Sequence, residues 1–298
     1  MVKVRVPGSC GELVQGTING QNFLITCPIN IFAEITVTAA PEFRFTVGEK
    51  TRRAVIATLK YLGQPDRTFE VSASSSLPQG KGMASSSADI GAACVATARC
   101  LGRMLSPDEV ANIALAIEPT DGVFYPGIVM FDHVHGRLRR FLGHPPPMAV
   151  AIFDTGGEVD TLCFNRRQDL ALLNHQKEPS VRQAVDLVVE GLRTGDCRLI
   201  GQGATLRSLA NQSILLKPAL PRLIEVSTAL GAVGVNIAHS GTVMGVLFPD
   251  DGQVDVGRCI QAIKQACPGI TYLTSAKLIS GGWMIMDGDS DGTSPAAI

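Results

Sequence analysis

The stretch Leu77-Pro78-Gln79-Gly80-Lys81-Gly82-Met83-Ala84-Ser85-Ser86-Ser87-Ala88-Asp89 decides the fold of this 298-residue sequence. A strand-like pattern precedes it over residues 69–74, and an Ala-rich helical pattern follows it over residues 88–101. Its glycines allow positive φ and a close approach of the backbone to a ligand. Unpaired N–H groups at a helix start and the helix dipole both favour an anion. The stretch therefore predicts a phosphate-binding loop, with an ordinary Gly-Ser turn as the alternative.

The composition limits the classes of function that the chain can have. Hydrophobic residues make up 45% of the sequence and charged residues 18%, so a sizeable core is expected. The formal net charge is −1, and the sequence contains no long basic run. Binding to nucleic acid or to anionic membranes generally requires basic patches. The composition therefore argues against both functions.

The cysteines and the N-terminus indicate the compartment. The eight cysteines include no Cys-x-x-Cys pair and no Cys/His cluster with zinc spacing. The alternating Val2, Val4 and Val6 are typical of a strand, and no signal-peptide core follows them. No apolar run reaches the roughly 18 residues of a membrane span. We therefore expect a reduced, cytoplasmic protein.

The proline run Pro145–Pro147 is the clearest break in the chain, because it cannot continue a helix or a strand. We expect an N-terminal domain over residues 1–147, a C-terminal domain over 148–286 and a flexible tail over 287–298. Periodicity predicts strands at residues 2–6, 30–38, 148–153, 233–237, 243–248 and 271–279, a loop at 7–16 and a hairpin at 127–142. It predicts helices at residues 49–62, 107–118, 180–193, 196–210, 218–230 and 254–266.

Two acidic residues follow the helix that begins with Ser106-Pro107-Asp108-Glu109, a capping-box sequence. Glu118 and Asp121 lie in a turn just beyond the predicted end of that helix. They are candidates for a catalytic base and a metal carboxylate, and a solvated helix flank is the alternative. Glu109 is a rival metal ligand, although its capping position already accounts for it. The hairpin residues His133 and His135 are expected at the surface, and His239 is expected to be structural.

Three glycine-marked segments resemble, in order and spacing, the motifs of the GHMP kinases, the superfamily of galactokinase, homoserine kinase and mevalonate kinase. They are Pro7-Gly8 to Gly16, Pro78-x-Gly80-x-Gly82-Met83-Ala84-Ser85-Ser86, and Ser240-Gly241-Thr242-x-x-Gly245. The second resembles the phosphate loop Pro-x-Gly-x-Gly-Leu-Gly-Ser-Ser. It departs at Ala84, where the family usually has glycine, and at Ser87, where it often has alanine.

Other segments resemble the branch that phosphorylates free L-threonine in cobalamin synthesis. They are residues 7–16, 118–122 and 154–161. The resemblance implies an α+β, two-domain GHMP kinase fold, with an N-terminal ribosomal S5-like α/β domain and a C-terminal ferredoxin-like domain. It implies ATP and Mg²⁺ as cofactors and L-threonine as the acceptor.

The resemblance also implies residue roles. Ser86 and Glu118 resemble the Mg²⁺ ligands and Asp121 the catalytic base, and the two acidic roles stay exchangeable. Lys81 adds positive charge near the phosphates or is a solvated rim charge. The expected nucleotide-binding residues are Pro78, Gly80, Lys81, Gly82, Met83, Ala84, Ser85, Ser86 and Ser87. The expected substrate residues are Glu12, Gln15, Asp154, Thr155, Gly156, Ser240 and Gly241, with Asp154 placed to bind an ammonium group.

Two alternatives stay open. One is a kinase of the same fold that acts on homoserine or another small alcohol. Homoserine and threonine are isomers, and a methyl-sized difference between substrates changes binding by only about 1–3 kcal/mol in an apolar pocket. A non-catalytic nucleotide-binding protein on the same fold would bind ATP without turnover. The sequence leaves the oligomeric state undetermined, and a homodimer stays open.

Overall fold

The computed structural model describes residues 1–157 and 167–286, which form an α+β structure. The strands are β1 (Val2–Ile18), β2 (Gln21–Ala39), β3 (Arg44–Thr46), β4 (Phe69–Ser75), β5 (Ile128–Phe131), β6 (Arg139–Gly143), β7 (Met148–Asp154), β8 (Gly234–Ile237), β9 (Val243–Pro249), β10 (Thr271–Leu278) and β11 (Met284–Met286). The helices are α1 (Glu49–Tyr61), α2 (Ser85–Cys100), α3 (Pro107–Leu115), α4 (Leu170–Thr194), α5 (Cys197–Ala210), α6 (Leu220–Ala229) and α7 (Val256–Ala266), and a 3₁₀ turn covers Asn211–Ser213.

The described strands form one sheet to which both halves of the chain contribute. Its main order is β11-β1-β8-β9-β7-β10-β2-β4-β3, and β1 also pairs with β2. β1 meets β8 at Glu12 and Ile237, and β2 meets β10 at Ile29 and Leu278. The long β1–β2 hairpin, which comes from the first half of the chain, therefore pairs with strands from the second half.

Helix α2 lies at the centre of the first half because its residues are small. Its Ala-rich sequence lets it pack closely on β1 and β2, with α1 and α3 beside it, and most of its residues are buried. The predicted capping box at the start of α3 is present: Ser106 Oγ accepts from the N–H of Glu109 at 3.3 Å, and Glu109 Oε2 accepts from the N–H of Ser106 at 2.7 Å. In the second half, α6 and α7 cover a second apolar cluster on β7, β8 and β9.

Two sequence-based expectations about the backbone were wrong. Residues 7–16 are not a loop: β1 runs through them, and register shifts relative to β2 after Pro7 and Ser9 accommodate its glycines as bulges. The helix predicted from residue 180 begins at Leu170, with Pro179 inside it. Packing outweighs the missing N–H, since buried Lys177 and Val181 anchor the turns on either side.

The short strands β3 and β11 were not predicted, because three residues carry too little periodicity. The predicted hairpin is present, formed by β5 and β6. The predicted tail, residues 287–298, lies outside the described residues. Among the residues that the structure describes, no helix is long and apolar enough to cross a membrane.

Candidate active site

The phosphate loop, residues 77–84, is hydrogen-bonded to the first strand. The N–H of Ser9 donates to the carbonyl oxygen of Met83 at 3.0 Å, and the N–H of Gly11 donates to that of Gly82 at 3.1 Å. Gly11 has φ +55°, in the left-handed region that favours glycine. The first motif therefore contacts the second, and it does so as a strand and not as the predicted loop.

The turn of the third motif supports the loop from a second side. The N–H groups of Thr242 and Val243 both donate to the carbonyl oxygen of Lys81, at 3.0 and 3.1 Å. A Cβ on Gly241 would lie 2.4 Å from that oxygen and 2.5 Å from the Cα of Gly82. The two backbones can approach this closely only because residue 241 has no side chain.

The loop ends in a left-handed residue that starts helix α2. Ala84 has φ +55° and ψ +25° and occupies the N-cap, and no side chain of a described residue caps the helix there. The first N–H groups of α2 are therefore available to an anion. The positive φ also gives a physical reason for glycine at this position in the related motif. The helix begins at Ser85, three residues earlier than predicted.

The two predicted carboxylates are both joined to serines of this helix start. Ser86 Oγ donates a short hydrogen bond to Glu118 Oε1. Ser87 Oγ accepts from the N–H of Asp121 at 2.9 Å and lies 3.5 Å from Asp121 Oδ2. Lys50 Nζ lies 2.5 Å from Glu118 Oε2. Lys50 was missed by the sequence reasoning, because it lies in no motif.

The donor set at Ser86 and Glu118 fits Mg²⁺. A hydroxyl and a carboxylate are hard oxygen ligands, and Mg²⁺ generally takes one or two protein carboxylates together with substrate phosphates and water. Among residues 1–157 and 167–286, no group of three His, Cys, Asp or Glu side chains is placed to hold a metal. The rival ligand Glu109 is used elsewhere: it forms the capping box and accepts from the hydroxyl of Tyr61 at 2.8 Å.

The surroundings of Asp121 raise the pKa of its carboxyl group. Burial and the negative charge of Glu12 raise its pKa to about 6, with a smaller upward effect from Glu118, while the charge of His239 and the Ser87 hydroxyl act in the opposite direction. A carboxylate with a pKa near 6 accepts a proton more readily than an ordinary aspartate but is still ionised at neutral pH.

Glu12 is buried and its charge is balanced by the second half of the chain. Glu12 Oε1 lies 2.9 Å from His239 Nδ1, and Glu12 Oε2 accepts from the N–H of His239 at 3.0 Å. Arg207 Nη2 lies 3.9 Å from Glu12 Oε2. Burial alone would raise the pKa of Glu12, but the charge and hydrogen bonds of His239 and the charge of Arg207 outweigh it, so the pKa lies below its usual value. His239 therefore fixes the position of the Glu12 carboxylate.

Gln15 lies beside Glu12 on β1 and binds two buried cations. Its Oε1 accepts from Arg207 Nη2 at 3.1 Å and lies 3.4 Å from Lys177 Nζ, which also donates to Asn211 Oδ1 at 2.9 Å. Burial and the charge of Arg207 lower the pKa of Lys177 to about 7. These cations come from α4 and α5, and no sequence motif marks them.

Lys81 reaches across to the end of strand β7. Its Nζ lies 3.0 Å from Asp154 Oδ2 and donates to the carbonyl oxygen of Gly157 at 2.9 Å. Asp154 Oδ1 accepts from the N–H of Gly156 at 3.1 Å. Lys81 is therefore not a simple solvated charge, and Asp154 already has a cationic partner from the phosphate loop.

The other predicted substrate residues surround the same turn. The N–H and hydroxyl of Thr155 donate to the carbonyl oxygen of Thr242 at 3.1 and 3.0 Å. Ser240 Oγ lies 3.3 Å from His239 Nε2, and the buried Lys217 Nζ donates to the carbonyl oxygen of Gly241 at 2.7 Å. Residues 158–161 of the predicted segment lie outside the described residues.

Two cavities lie near these groups. One, of about 380 Å³, is bounded by the phosphate loop and the start of α1 and includes Lys50, Gly80 and Ser86 in its wall. The other, of about 470 Å³, lies between the β1–β2 hairpin and the start of α4 and includes Gln15, His133 and His239. His133 was expected at the surface but is buried, with its ring centroid 5.5 Å from that of His239.

Comparisons with known proteins agree with this geometry. Residues 49–125 match the family described as GHMP kinases N terminal domain, and residues 188–267 match GHMP kinases C terminal. The L-threonine kinase of Salmonella typhimurium is 33% identical over 85% of this chain and 84% of that protein. The L-threonine kinase of Citrobacter freundii is 29% identical over 83% of this chain and 86% of that protein.

A solved structure supports the fold. The homoserine kinase of Cytophaga hutchinsonii superposes with a TM-score of 0.70 at 19% identity, covering 96% of this chain and 97% of that one. The chain belongs to the GHMP kinase family, whose members are ATP-dependent small-molecule kinases. The expected two-domain α+β GHMP kinase fold is confirmed.

Proposed function

We propose that this protein transfers the γ-phosphoryl group of ATP to the side-chain hydroxyl of L-threonine, giving O-phospho-L-threonine and ADP. The observation that carries the proposal is the direct contact of Ser86 and Ser87, at the start of α2, with Glu118 and Asp121. The 33% identity to an L-threonine kinase supports threonine as the acceptor. The resemblance to the cobalamin branch supports a role for the product as a source of the aminopropanol linker.

The proposed reaction needs one proton acceptor for the hydroxyl and groups that hold the phosphates of ATP in place. The threonine oxygen forms a bond to the γ-phosphorus, the bond from that phosphorus to the bridging oxygen of ADP breaks, and the hydroxyl proton passes to Asp121. The N–H groups at the start of α2 and the ammonium of Lys81 hold the phosphates. Ser86 and Glu118 would hold Mg²⁺, which supplies charge neutralisation on the phosphate oxygens when bound.

We propose that the acceptor contacts Glu12 and Gln15 on β1 and Ser240 and Gly241 in the third motif. Asp154, Thr155 and Gly156 follow strand β7, where Asp154 lies 3.0 Å from Lys81 Nζ. We propose that Asp154 acts with Lys81 at the phosphate end of the site.

A coupled ADP-release assay with L-threonine, L-serine and L-homoserine tests the acceptor. We expect the highest kcat/KM with L-threonine and a phosphorylated product of matching mass. Faster turnover of homoserine would assign the chain to the other small-alcohol kinases. ATP binding by calorimetry without turnover of any acceptor would favour the non-catalytic alternative.

The pKa of Asp121 predicts how activity depends on pH. Since the base must be ionised to accept the proton, and its pKa is raised to about 6, activity is retained above this pH and lost below it. We expect kcat/KM for threonine to fall about tenfold per pH unit below about pH 6. Initial rates between pH 5 and 8 measure this, and a flat profile down to pH 5 would contradict it.

Substitutions at Lys81 and Asp154 are expected to act in opposite directions on ATP. Lys81→Met removes a positive charge from the phosphate loop, and we expect KM for ATP to rise about tenfold. Asp154→Asn leaves that charge without its partner, so KM for ATP should stay unchanged or fall. Lys264→Met, at an exposed position on α7, is the matched control. Equal increases in KM for ATP in Lys81→Met and Asp154→Asn would mean that the ion pair only holds the phosphate loop against β7.

A further inference from the structure

The three serines at the start of helix α2 differ in their surroundings. Ser85 and Ser86 belong to the wall of the cavity of about 380 Å³ beside the phosphate loop, and Ser87 does not. Ser87 is 4% exposed, whereas its two neighbours are half-buried. Its place in the motif predicts a contact with the nucleotide, but a buried hydroxyl outside the cavity wall is poorly placed to reach a phosphate. The Ser87 hydroxyl therefore needs another explanation.

The Ser87 hydroxyl binds the main chain of Asp121. Its Oγ accepts from the N–H of Asp121 at 2.9 Å, an ordinary hydrogen-bond length. The distance from Oγ to Asp121 Oδ2 is 3.5 Å, which is long for a bond between a hydroxyl and a carboxylate. The bond to the main chain is therefore the stronger of the two contacts. It fixes the place from which the side chain of Asp121 extends.

The segment that carries Asp121 has little regular structure to hold it. Residues 116–127 lie between helix α3 and strand β5. The N–H of Thr120 donates to the carbonyl oxygen of His133 at 3.0 Å, and the next N–H along the chain is the one that donates to Ser87. One bond thus attaches the segment to the hairpin and the other attaches it to helix α2. Loss of the second bond would free Asp121 from the helix that faces the phosphates.

Position 87 is also one of the two at which this sequence departs from the related phosphate loop, which often has alanine there. An alanine side chain has no acceptor for the N–H of Asp121. The hydrogen bond from Asp121 to helix α2 therefore depends on the residue that is unusual in this chain. A partly buried N–H that loses its acceptor disfavours the conformation that it helped to hold.

We propose that Ser87 is a positioning residue, which holds the base Asp121 in place relative to the phosphates, and that it is not a phosphate ligand. The inference rests on the proposed function, in which Asp121 accepts the hydroxyl proton. Ser86 and Ser87 are consecutive, so the start of α2 holds both Glu118 and Asp121. A general base must lie within hydrogen-bond distance of the proton that it removes, and a displacement of about 1 Å can lower the rate by about 10²-fold.

Ser87→Ala, made both in the wild-type protein and in Asp121→Asn, tests this role. In the wild type we expect kcat to fall at least about tenfold, while KM and Kd for ATP stay within about twofold. In Asp121→Asn we expect Ser87→Ala to change kcat by less than about twofold, because a residue that acts through the base has no effect once the base is absent. Ser227→Ala, which removes an equally buried hydroxyl from helix α6, is the matched control and should leave kcat unchanged in both backgrounds.

Two further variants separate the hydroxyl from the shape of the side chain. Ser87→Cys has nearly the same shape, but its sulfur is a weak acceptor, so we expect a loss of kcat similar to that in Ser87→Ala. Ser87→Thr keeps an acceptor oxygen and should retain more activity than Ser87→Cys. If thermal melting shows that Ser87→Ala does not fold, Ser87→Cys decides the inference, and a wild-type kcat in that variant would overturn it.

The remaining outcomes separate this inference from the proposed function. An unchanged kcat in Ser87→Ala, or an equal fall of kcat in the wild type and in Asp121→Asn, would overturn the inference. A higher Kd for ATP in both backgrounds would also overturn it, because Ser87 would then be a phosphate ligand. The proposed function fails separately if the wild-type protein does not phosphorylate threonine. If homoserine is the acceptor instead, the same four proteins compared on homoserine decide the role of Ser87, and if no acceptor is phosphorylated both proposals are wrong.

Discussion

Asp121→Asn is expected to lower kcat for threonine phosphorylation by about 10²–10⁴-fold, the usual contribution of a positioned general base. Asparagine has nearly the same shape and keeps the backbone N–H that donates to Ser87 Oγ. It cannot accept the hydroxyl proton, because its amide is not basic. KM for ATP should change little, since Asp121 contacts the helix start through Ser87 rather than the phosphates directly.

Stability and pH provide two further readouts for this variant. Burial and the charge of Glu12 disfavour the ionised form of Asp121, so a neutral side chain should leave the melting temperature unchanged or raise it. The residual activity should lose its step near pH 6. Asp186→Asn, at an exposed position on α4, is the control. A kcat within about threefold of wild type would remove Asp121 from the role of base but would leave the kinase assignment intact.

Gly241→Ala is expected to weaken nucleotide binding by displacing the phosphate loop. The new Cβ would lie 2.4 Å from the carbonyl oxygen of Lys81 and 2.5 Å from the backbone of Gly82. Backbone atoms cannot move aside as a flexible side chain can, so the third motif and the phosphate loop must separate. We expect a loss of about 1–3 kcal/mol in the free energy of unfolding, as for overpacked cores, and an increase of at least about tenfold in KM for ATP.

Denaturant unfolding and ATP titration measure the two effects together. Gly269→Ala is the control, because a Cβ there would meet no atom within 4 Å and its φ is not positive. If Gly241→Ala were as stable as wild type and bound ATP normally, the close packing of the two motifs would not be needed for the site.

The motifs could be predicted from sequence because each depends on local chemistry. Glycines at 80 and 82 and serines at 85–87 are typical of a phosphate-binding loop before a helix, and the helix begins at Ser85, three residues before the predicted start. Glu118 and Asp121 were predicted from their position after a capped helix, and both contact the loop serines. The capping box at Ser106 was predicted for the same reason.

The remaining parts of the site depend on contacts between distant segments. Lys50 and Arg207 lie on ordinary helical patterns, and Lys177 lies in a turn of α4 that was not predicted. Only the fold brings these residues to Glu118, Glu12 and Gln15 respectively. His133 was misplaced because a histidine in a hairpin turn is usually exposed. The first motif was read as a loop because glycines usually interrupt strands, whereas here β2 pairs with β1 on both sides of the bulges.

The attachment of the phosphate loop to both Ser9 and Thr242 has a thermodynamic consequence. Because the two halves of the chain contribute strands to one sheet and both hydrogen-bond to the loop, we expect that neither half unfolds separately while a nucleotide is bound there. ATP therefore stabilises both halves at once, by an amount set by its concentration relative to its dissociation constant. Calorimetric melting should consequently be a single cooperative transition that shifts as a whole when ATP is added.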